Sequence, residues 1–336
     1  MKKSLIAPVL LLAGLACCAQ TRKIYSSYAD GALAKVNVRV VDQDGQPVSD
    51  AKIMGGFTTG CRMDDYILVD GLTNTNGEFT AESKCTEFLR FDVRKEGYYC
   101  TKEKIIFNRP KAASIVVDGK WLPYGETRTV VLKKIKNPVQ IGEFGRCSIP
   151  IPVYDKWVGY DFEKKQWLPP YGGGKCSDVL LKFGKALTHK QFDYKMTMEV
   201  SFTNNPYAGF YQMKEDAFSE RKTAYRADPN ANFYAERSYV QERHPNAPCT
   251  DNRLDNDSYL IFRTRTKIDE KGRLISAHYG IIRGRWSFFS SMLSGGFLFN
   301  STPNDTNLED AETARRARLA YRQCQELEWR RKNGLR

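Results

Sequence analysis

Three histidines in the whole chain set a first bound on its chemistry. His189, His244 and His278 sit in unrelated contexts with no metal-ligand spacing such as H-E-x-x-H, so no metal site is assigned. His244 lies near Cys249, but catalytic Cys–His pairs are assembled by the fold rather than by local proximity. A cysteine in an exported chain is also more often bridged. No G-x-S-x-G elbow is present. Carboxylate pairs such as Asp161 with Glu163, or Asp64 with Asp65, have the residue types for glycoside hydrolysis, which needs two carboxyls about 5–10 Å apart. Such pairs occur in almost any chain of this length. A glycan-active hydrolase with a carboxylate pair in the second domain is therefore the alternative reading, and no catalytic residue or cofactor is assigned.

Gly172-Gly173-Gly174-Lys175 invites comparison with a phosphate-binding loop. That motif needs G-x-x-x-x-G-K-[ST] between a strand and a helix, with a hydroxyl for magnesium. Here Cys176 follows the lysine, Pro169-Pro170 precede the glycines, and DVLLKF afterwards reads as strand. The segment is a glycine loop between strands, and no nucleotide partner is expected.

Trp157, Tyr160, Trp167 and Tyr171 cluster within fifteen residues, interrupted by Lys156, Lys164 and Lys165. Aromatic rings on loops stack on sugar rings or bases. Aromatics near prolines also plug the ends of sandwiches, and both readings stand. The binding residues expected on the first reading are Trp157, Trp167, Tyr171 and Lys175.

Where the chain works is written at its start. Residues 1–19, MKKSLIAPVLLLAGLACCA, have the layout of a signal peptide: Lys2 and Lys3, an apolar stretch from Leu5 to Leu15, then small residues. Cleavage after Ala19 leaves Gln20 first. Lipidation competes: Cys17 follows Ala16 but has Gly14 where Leu is preferred, and Cys18 has Leu15 in place but follows Cys17. The protein is expected outside the cytoplasm, in the periplasm, at the outer membrane or cell surface, or secreted.

The chain has 336 residues, 41% of them hydrophobic and 12% aromatic, with mean hydropathy −0.52. This excludes a polytopic membrane protein, which needs repeated apolar runs of roughly 20 residues. It also excludes a disordered chain, which would lack this many aromatics. No transmembrane helix is expected in the mature chain. Removing Lys2 and Lys3 lowers the formal charge from +13 to +11. Basic exported proteins meet polyanions, but Lys and Arg are spread along this chain. The partners expected are an envelope glycan or another envelope protein, with nucleic acid disfavoured.

The elements that position these residues fall into two domains and a helix. In residues 33–136, Val36, Val38 and Val40 alternate with Asn37, Arg39 and Val41 as a half-buried strand. VVDQDGQPVSDAKI reads as strand, turn, strand, and Asn76-Gly77 marks a second hairpin. Asp42 and Asp44 serve that first turn, because a calcium loop needs about twelve residues with a closing Glu. LRFDVRKEGYY, KIIF and TVVLKKI supply further strands, seven in all, and predict an antiparallel sandwich. VRVVDQDGQPVSDAKI, LTNTNGEFT and LRFDVRKEGYY resemble the carboxypeptidase regulatory-like domain, a seven-stranded transthyretin-like sandwich. The resemblance covers residues 35–135, with GCRMDDYILVDG as an insertion. It implies a non-catalytic module attached to varied partners.

Residues 139–308 read as a second antiparallel β domain. DYKMTMEVSF alternates, with Tyr194, Met196, Met198, Val200 and Phe202 on a core face. YLIFRTRTKI and RLISAHYGII flank a turn at Asp269–Gly272. Arg263, Arg265 and Lys267 are expected on its solvated face, and Leu260, Phe262 and Ile268 on the buried one. FEKKQWLPPYGGGKCSD with RTRTKIDEKGRLISAHYG and FNSTPNDTNLE resembles an uncharacterised family of exported bacterial proteins. In that family a G-[YF]-D-x-E-x-x-x-W-x-x-P-Y-G-x-G-K segment follows a carboxypeptidase regulatory-like domain. This resemblance implies architecture and export only.

A C-terminal helix is expected over 309–334, capped by Thr306 with Glu309. Its narrow stripe of Ala314, Ala317, Tyr321, Cys324 and Leu327 is expected to dock on the second domain. Cleavage after Ala19 leaves seven cysteines, so at least one is unpaired or bridges molecules. In an up-and-down run of strands, Cys61 and Cys85 fall at one end of the sandwich and Cys100 at the other. Cys61–Cys85 is the expected bridge, Cys176–Cys249 follows by elimination, and Cys324 stays a free thiol.

Overall fold

The computed structural model describes residues 31–60, 65–108, 116–184, 187–190, 193–203, 205–255, 257–289 and 291–334. The signal peptide, both lipidation candidates Cys17 and Cys18, Asp64, and Cys61 of the expected Cys61–Cys85 bridge lie outside these residues. The protein is mainly β, with several open sheets and one C-terminal helix. It divides into two compact units: Met1–Ile135 with Phe218–Arg221 and Arg316–Arg336, and Lys136–Ala217 with Lys222–Arg315.

The first unit contains β1 (Ala32–Asp42), β2 (Lys52–Thr58), β3 (Tyr66–Leu72), β4 (Glu78–Cys85), β5 (Phe88–Arg94), β6 (Thr101–Ile106), β7 (Val116–Val117), β8 (Lys120–Trp121) and β9 (Glu126–Leu132). Seven of these have six residues or more, as the turn spacing predicts. One sheet runs β4-β1-β8-β7 with β9 also on β1, and the other runs β3-β2-β5-β6. The two sheets pack apolar faces that include Val36, Val38, Val40, Ile53, Phe57, Leu89 and Phe91. Two pairings depart from the antiparallel expectation: β9 runs parallel to β1 over Val36–Asp42, and β8 meets β1 in parallel at Leu33 opposite Lys120.

Three turns follow one local rule, but only the third joins two paired strands. β1 and β2, like β3 and β4, lie in different sheets, so the expected hairpin at Asn76-Gly77 is instead a connection between the sheets. Asp42 Oδ1 accepts the N–H groups of Asp44 and Gln46, both at 2.9 Å. Asn74 does the same for Asn76 and Glu78, and in the second unit Asp269 does so for Lys271 and Arg273. The fourth residue of each turn is glycine at positive φ: Gly45 at 78°, Gly77 at 74° and Gly272 at 75°. Asp42 is thus a turn residue, as the DQDG spacing predicts.

The second unit contains β10 (Gly142–Pro150), β11 (Trp157–Asp161), β12 (Gln166–Trp167), β13 (Val179–Phe183), β14 (Leu187–Lys190), β15 (Asp193–Ser201), β16 (Gly209–Lys214), β17 (Glu236–Arg243), β18 (Thr250–Asp251), β19 (Ser258–Ile268), β20 (Leu274–Phe289) and β21 (Met292–Asn300). Sheet β12-β11-β13-β15-β17-β18, with β14 on β15, contributes Met196, Met198 and Val200 to an aromatic-rich core. Sheet β10-β21-β20-β19-β16 contributes Phe262, Phe297 and Phe299. The alternation of DYKMTMEVSF holds, with Met196, Met198, Val200 and Phe202 buried. The hairpin of β19 and β20 also forms.

Its faces do not divide as expected. A second apolar cluster with Tyr259, Ile261, Tyr279, Ile281 and Leu308 covers the other side of the β19–β20 sheet. Both sides of β19 are therefore buried, and Arg263 is only 7% exposed. Its Nε donates to Tyr207 O at 2.7 Å and Nη1 to Pro229 O at 2.9 Å, with the guanidinium 3.9 Å from the Phe233 ring centroid. Ile268, expected inside, is exposed at the strand end.

The helix, α1 (Ala311–Lys332), starts two residues after Glu309. Asp310 caps it, its Oδ1 accepting from Thr313 N at 2.7 Å. Thr306 does not cap; Glu309 instead accepts from Lys136 N and Asn137 N at 2.9 and 2.7 Å. Docking on the second domain is also corrected. From Arg316 onward the helix belongs to the first unit, where Cys324 Sγ lies 3.0 Å from Met54 Sδ and Arg331 Nη1 lies 2.7 Å from Asp70. Lys52, its side chain 7% exposed, pairs with both Asp70 and Glu328. Leu327 of the expected stripe is exposed, whereas Ala314, Ala317 and Cys324 are buried. Among the described residues no helix is long and apolar enough to cross a membrane.

Candidate functional site

Around the glycine loop of the second unit, one arginine engages three carboxylates. The ladder between β19 and β20 shifts register between Thr264 and Lys267, and Arg265 sits in that irregularity at φ 49°. A bulge re-aims a side chain, and here it turns Arg265 away from the face that carries Arg263 toward Asp178 and Phe299. Arg265 Nε and Nη2 reach both oxygens of Asp178 at 2.8 and 2.9 Å, and Nη2 also reaches Asp161 Oδ1 at 2.9 Å. Nη1 pairs with Glu163, and the guanidinium lies 4.8 Å from the Phe299 ring centroid.

Asp161 and Asp178 are 1% and 0% exposed, so every acceptor position needs a partner. Asp161 takes the N–H groups of Lys164 at 2.9 Å, Lys175 at 2.8 Å and Cys176 at 3.0 Å; Asp178 takes that of Phe162 at 2.8 Å. The glycines make this possible: a Cβ on Gly174 would sit 2.8 Å from Gln166 O and 3.0 Å from Asp161 Cβ. The glycine loop wraps a carboxylate of its own domain rather than a phosphate.

Burial would raise the Asp161 carboxyl, but the three backbone N–H groups and Arg265 outweigh it and hold it below the usual range. At Asp178 burial prevails over Arg265 and the Phe162 N–H and pushes the carboxyl up. Burial acts against charge on Arg265 too, and its bonds to Asp178 and Glu163 more than offset that. The pair Asp161 with Glu163, the material for a hydrolase, is thus engaged by one arginine.

The aromatic run splits. Tyr160 and Trp167 are core, 2% and 6% exposed, edge-on to each other at 5.0 Å. Trp167 Nε1 donates to Pro150 O at 3.0 Å. Trp167 is therefore not an open binding residue, because β12 pairs it with Tyr160 on the core face of β11. Trp157 and Tyr171 stay 45% and 41% exposed, with Lys182 Nζ 5.9 Å from the Trp157 ring centroid. Lys175 is exposed, and its role in the structure is its backbone N–H on Asp161.

Cys176 and Cys249 are exposed free thiols. Cys176 lies between β12 and β13 and Cys249 just before β18, with β15 and β17 intervening. At about 4.8 Å per strand this separates them by about 14 Å, against the roughly 7 Å a disulfide allows. The expected Cys176–Cys249 bridge is corrected on that ground. His244 is held between Asp193 at 2.7 Å and Glu242 at 2.8 Å. His278 stacks on Phe299 at 5.7 Å, and burial lowers its pKa.

Arg265 is the residue that sequence reasoning misplaced. Its partner Asp178 lies 87 positions away, and no local signal joins them.

No family model matches the chain, and no curated protein matches it. Similar solved structures include 3-chlorocatechol 1,2-dioxygenase from Rhodococcus opacus, at 16% identity and TM-score 0.26 over 32% of this chain and 62% of that one. A DUF3823 family protein from Parabacteroides merdae aligns at 8% identity and TM-score 0.21, over 79% of this chain and 96% of that one. The major pilin subunit BcpA of Bacillus cereus aligns at 12% identity and TM-score 0.22, over 83% and 100%. The chain spans 54% to 62% of the length of the dioxygenases it matches. Similarity at this level carries no functional inference.

Proposed function

We propose that this is an exported, non-catalytic binding protein of the cell envelope, which engages glycan through Trp157 and Tyr171 on its second unit. The observation that supports it is the division of one aromatic run. Tyr160 and Trp167 anchor the segment in the core while Trp157 and Tyr171 face solvent. Rings carried on an anchored strand and its tight loop lose little entropy when a sugar stacks on them. The engagement of Asp161, Glu163 and Asp178 by Arg265 supports binding over hydrolysis, because a catalytic acid needs a free, accessible carboxyl. The seven main strands of the first unit and its DQDG turn support the resemblance to a carboxypeptidase regulatory-like module. Residues 1–19 support export.

A glycan array probed with the purified protein, followed by titration of the best hit, tests this reading. Trp157→Ala and Tyr171→Ala are each expected to cost about 1–3 kcal/mol of binding with an unchanged melting temperature. Binding that survives both substitutions overturns the assignment.

A further inference from the structure

The outer face of the β3-β2-β5-β6 sheet carries a groove of about 500 Å³ within the first unit. This lies in the size range of small-molecule sites, about 300–1,000 Å³. Strand register explains its floor. Leu68 stands opposite Gly56, and Gly56 opposite Arg90, so one row across three strands reads Leu, Gly, Arg. Directly opposed residues share a face. Gly56 has no side chain, and a trough is left between Leu68 and Arg90. The neighbouring row on one side begins with Tyr66, opposite Thr58. On the other side Met54 is covered by Cys324 of the helix, whose last turn places Arg331 at the groove.

The walls are apolar on one side and cationic on the other. Leu68 is 76% exposed and Tyr66 39%, high values for large apolar residues inside a strand. The two groove carboxylates are answered locally, Asp70 by Arg331 at 2.7 Å and Asp92 by Arg94 at 2.9 Å. Arg90 and Lys102 also line the groove, and neither side chain has a hydrogen bond or ion pair among the described residues. Arg90 thus faces Leu68 across Gly56, and Lys102, opposite Asp92 in the neighbouring row, stands diagonal to Arg90 on the same face.

We propose that this groove binds a small carboxylate-bearing ring compound, with Arg90 and Lys102 taking the carboxylate and Tyr66 and Leu68 the apolar face of the ring. Charge complementarity selects the anion, and the planar guanidinium of Arg90 suits a carboxylate in particular. An acidic sugar and an aromatic acid share this chemistry. The site is separate from Trp157 and Tyr171 and does not depend on their role.

Isothermal titration calorimetry of the purified protein with glucuronate, benzoate and glucose at low salt tests it. Glucuronate or benzoate is expected to bind with Kd of roughly 1 mM or better, and whichever is tighter identifies the source. Glucose is expected to bind at least roughly tenfold more weakly, and Arg90→Gln to weaken the carboxylate by roughly tenfold or more. Lys102→Gln should weaken it in the same direction. Both positions are exposed, so melting temperatures should hold. The proposal is overturned if neither carboxylate binds at about ten times that concentration, if glucose binds as well as glucuronate, or if Arg90→Gln leaves affinity unchanged. Loss of carboxylate binding in Trp157→Ala, with Arg90→Gln neutral, would also overturn it and assign the ligand to the second unit.

Discussion

Arg265 donates to both carboxylate oxygens of Asp178, from Nε at 2.8 Å and from Nη2 at 2.9 Å. The bond joins strand β19 to the segment leading into β13, so it ties one sheet of the second unit to the other. Removing one partner of a buried pair leaves an uncompensated charge, which costs about 3–5 kcal/mol. Arg265→Ala is expected to lose that much in urea unfolding. Arg265→Lys should recover only part, because an ammonium cannot span two oxygens as the guanidinium fork does. A loss below about 1 kcal/mol, the worth of an exposed pair, would show that the network does not hold the sheets.

The turn carboxylate Asp42 gives a pH dependence of definite sign. Its bond from Lys134 at 2.6 Å, then the Gln46 N–H, hold the carboxyl below the ordinary range. The folded protein therefore releases this proton more readily than the unfolded chain. The resulting stabilisation is complete above the ordinary Asp value of about 3.9 and is lost as pH falls through it toward the lower folded value. The stability difference between wild type and Asp42→Asn should be constant from neutral pH down to about pH 5 and shrink below that. Denaturant midpoints across pH read it, and a difference that does not move with pH contradicts the pairing.

Two turn glycines should respond differently to alanine. Both Gly77 and Gly272 hold positive φ, which costs an alanine about 1–2 kcal/mol. A Cβ on Gly272 meets nothing within 4 Å, whereas one on Gly77 would sit 2.3 Å from Val40 O. Gly77→Ala should therefore be clearly the more destabilising, because backbone of β1 must move. Equal melting temperatures for the two variants would place the turn differently.

Trp167 separates packing from binding. Trp167→Ala should lower stability by about 3–5 kcal/mol, since the ring is buried against Tyr160 and Phe183. Trp157→Ala should leave the urea midpoint nearly unchanged. A reversed order would mean that the two tryptophans have exchanged faces.

Thiol reactivity follows burial. Cys176 and Cys249 are exposed, while Cys85, Cys100 and Cys324 are buried. Burial pushes these three thiols up, Cys100 to about 12, and so removes thiolate at working pH. Iodoacetamide on the native protein should label Cys176 and Cys249 quickly and the other three only in denaturant. Peptide mapping that finds Cys176 bridged to Cys249 would refute the sheet order.

What the sequence by itself determined is local. The alternation through Met196, Met198, Val200 and Phe202 fixes a strand with one core face, because side chains on a strand repeat every two residues. Asp42, Asn74 and Asp269, each three residues before a glycine, fix the turns, because a short side-chain acceptor and a positive φ are properties of four or five adjacent residues. The seven longer strands of the first unit follow from those two signals together.

The tertiary structure decided which face meets what. A period of two names two faces but not what covers them, so the stripe of Arg263 and Arg265 reads as solvated until a second apolar layer and a register shift bury it. One displaced residue sends a side chain to the opposite face, and that is how Arg265 reaches Asp178. Trp157 and Trp167 are the same residue type ten positions apart, and only the pairing of β12 with β11 puts one inside. The helix stripe showed that α1 docks, while Met54 and Lys52, more than 250 positions away, determine where. Such choices depend on distant chain segments, which no local pattern encodes.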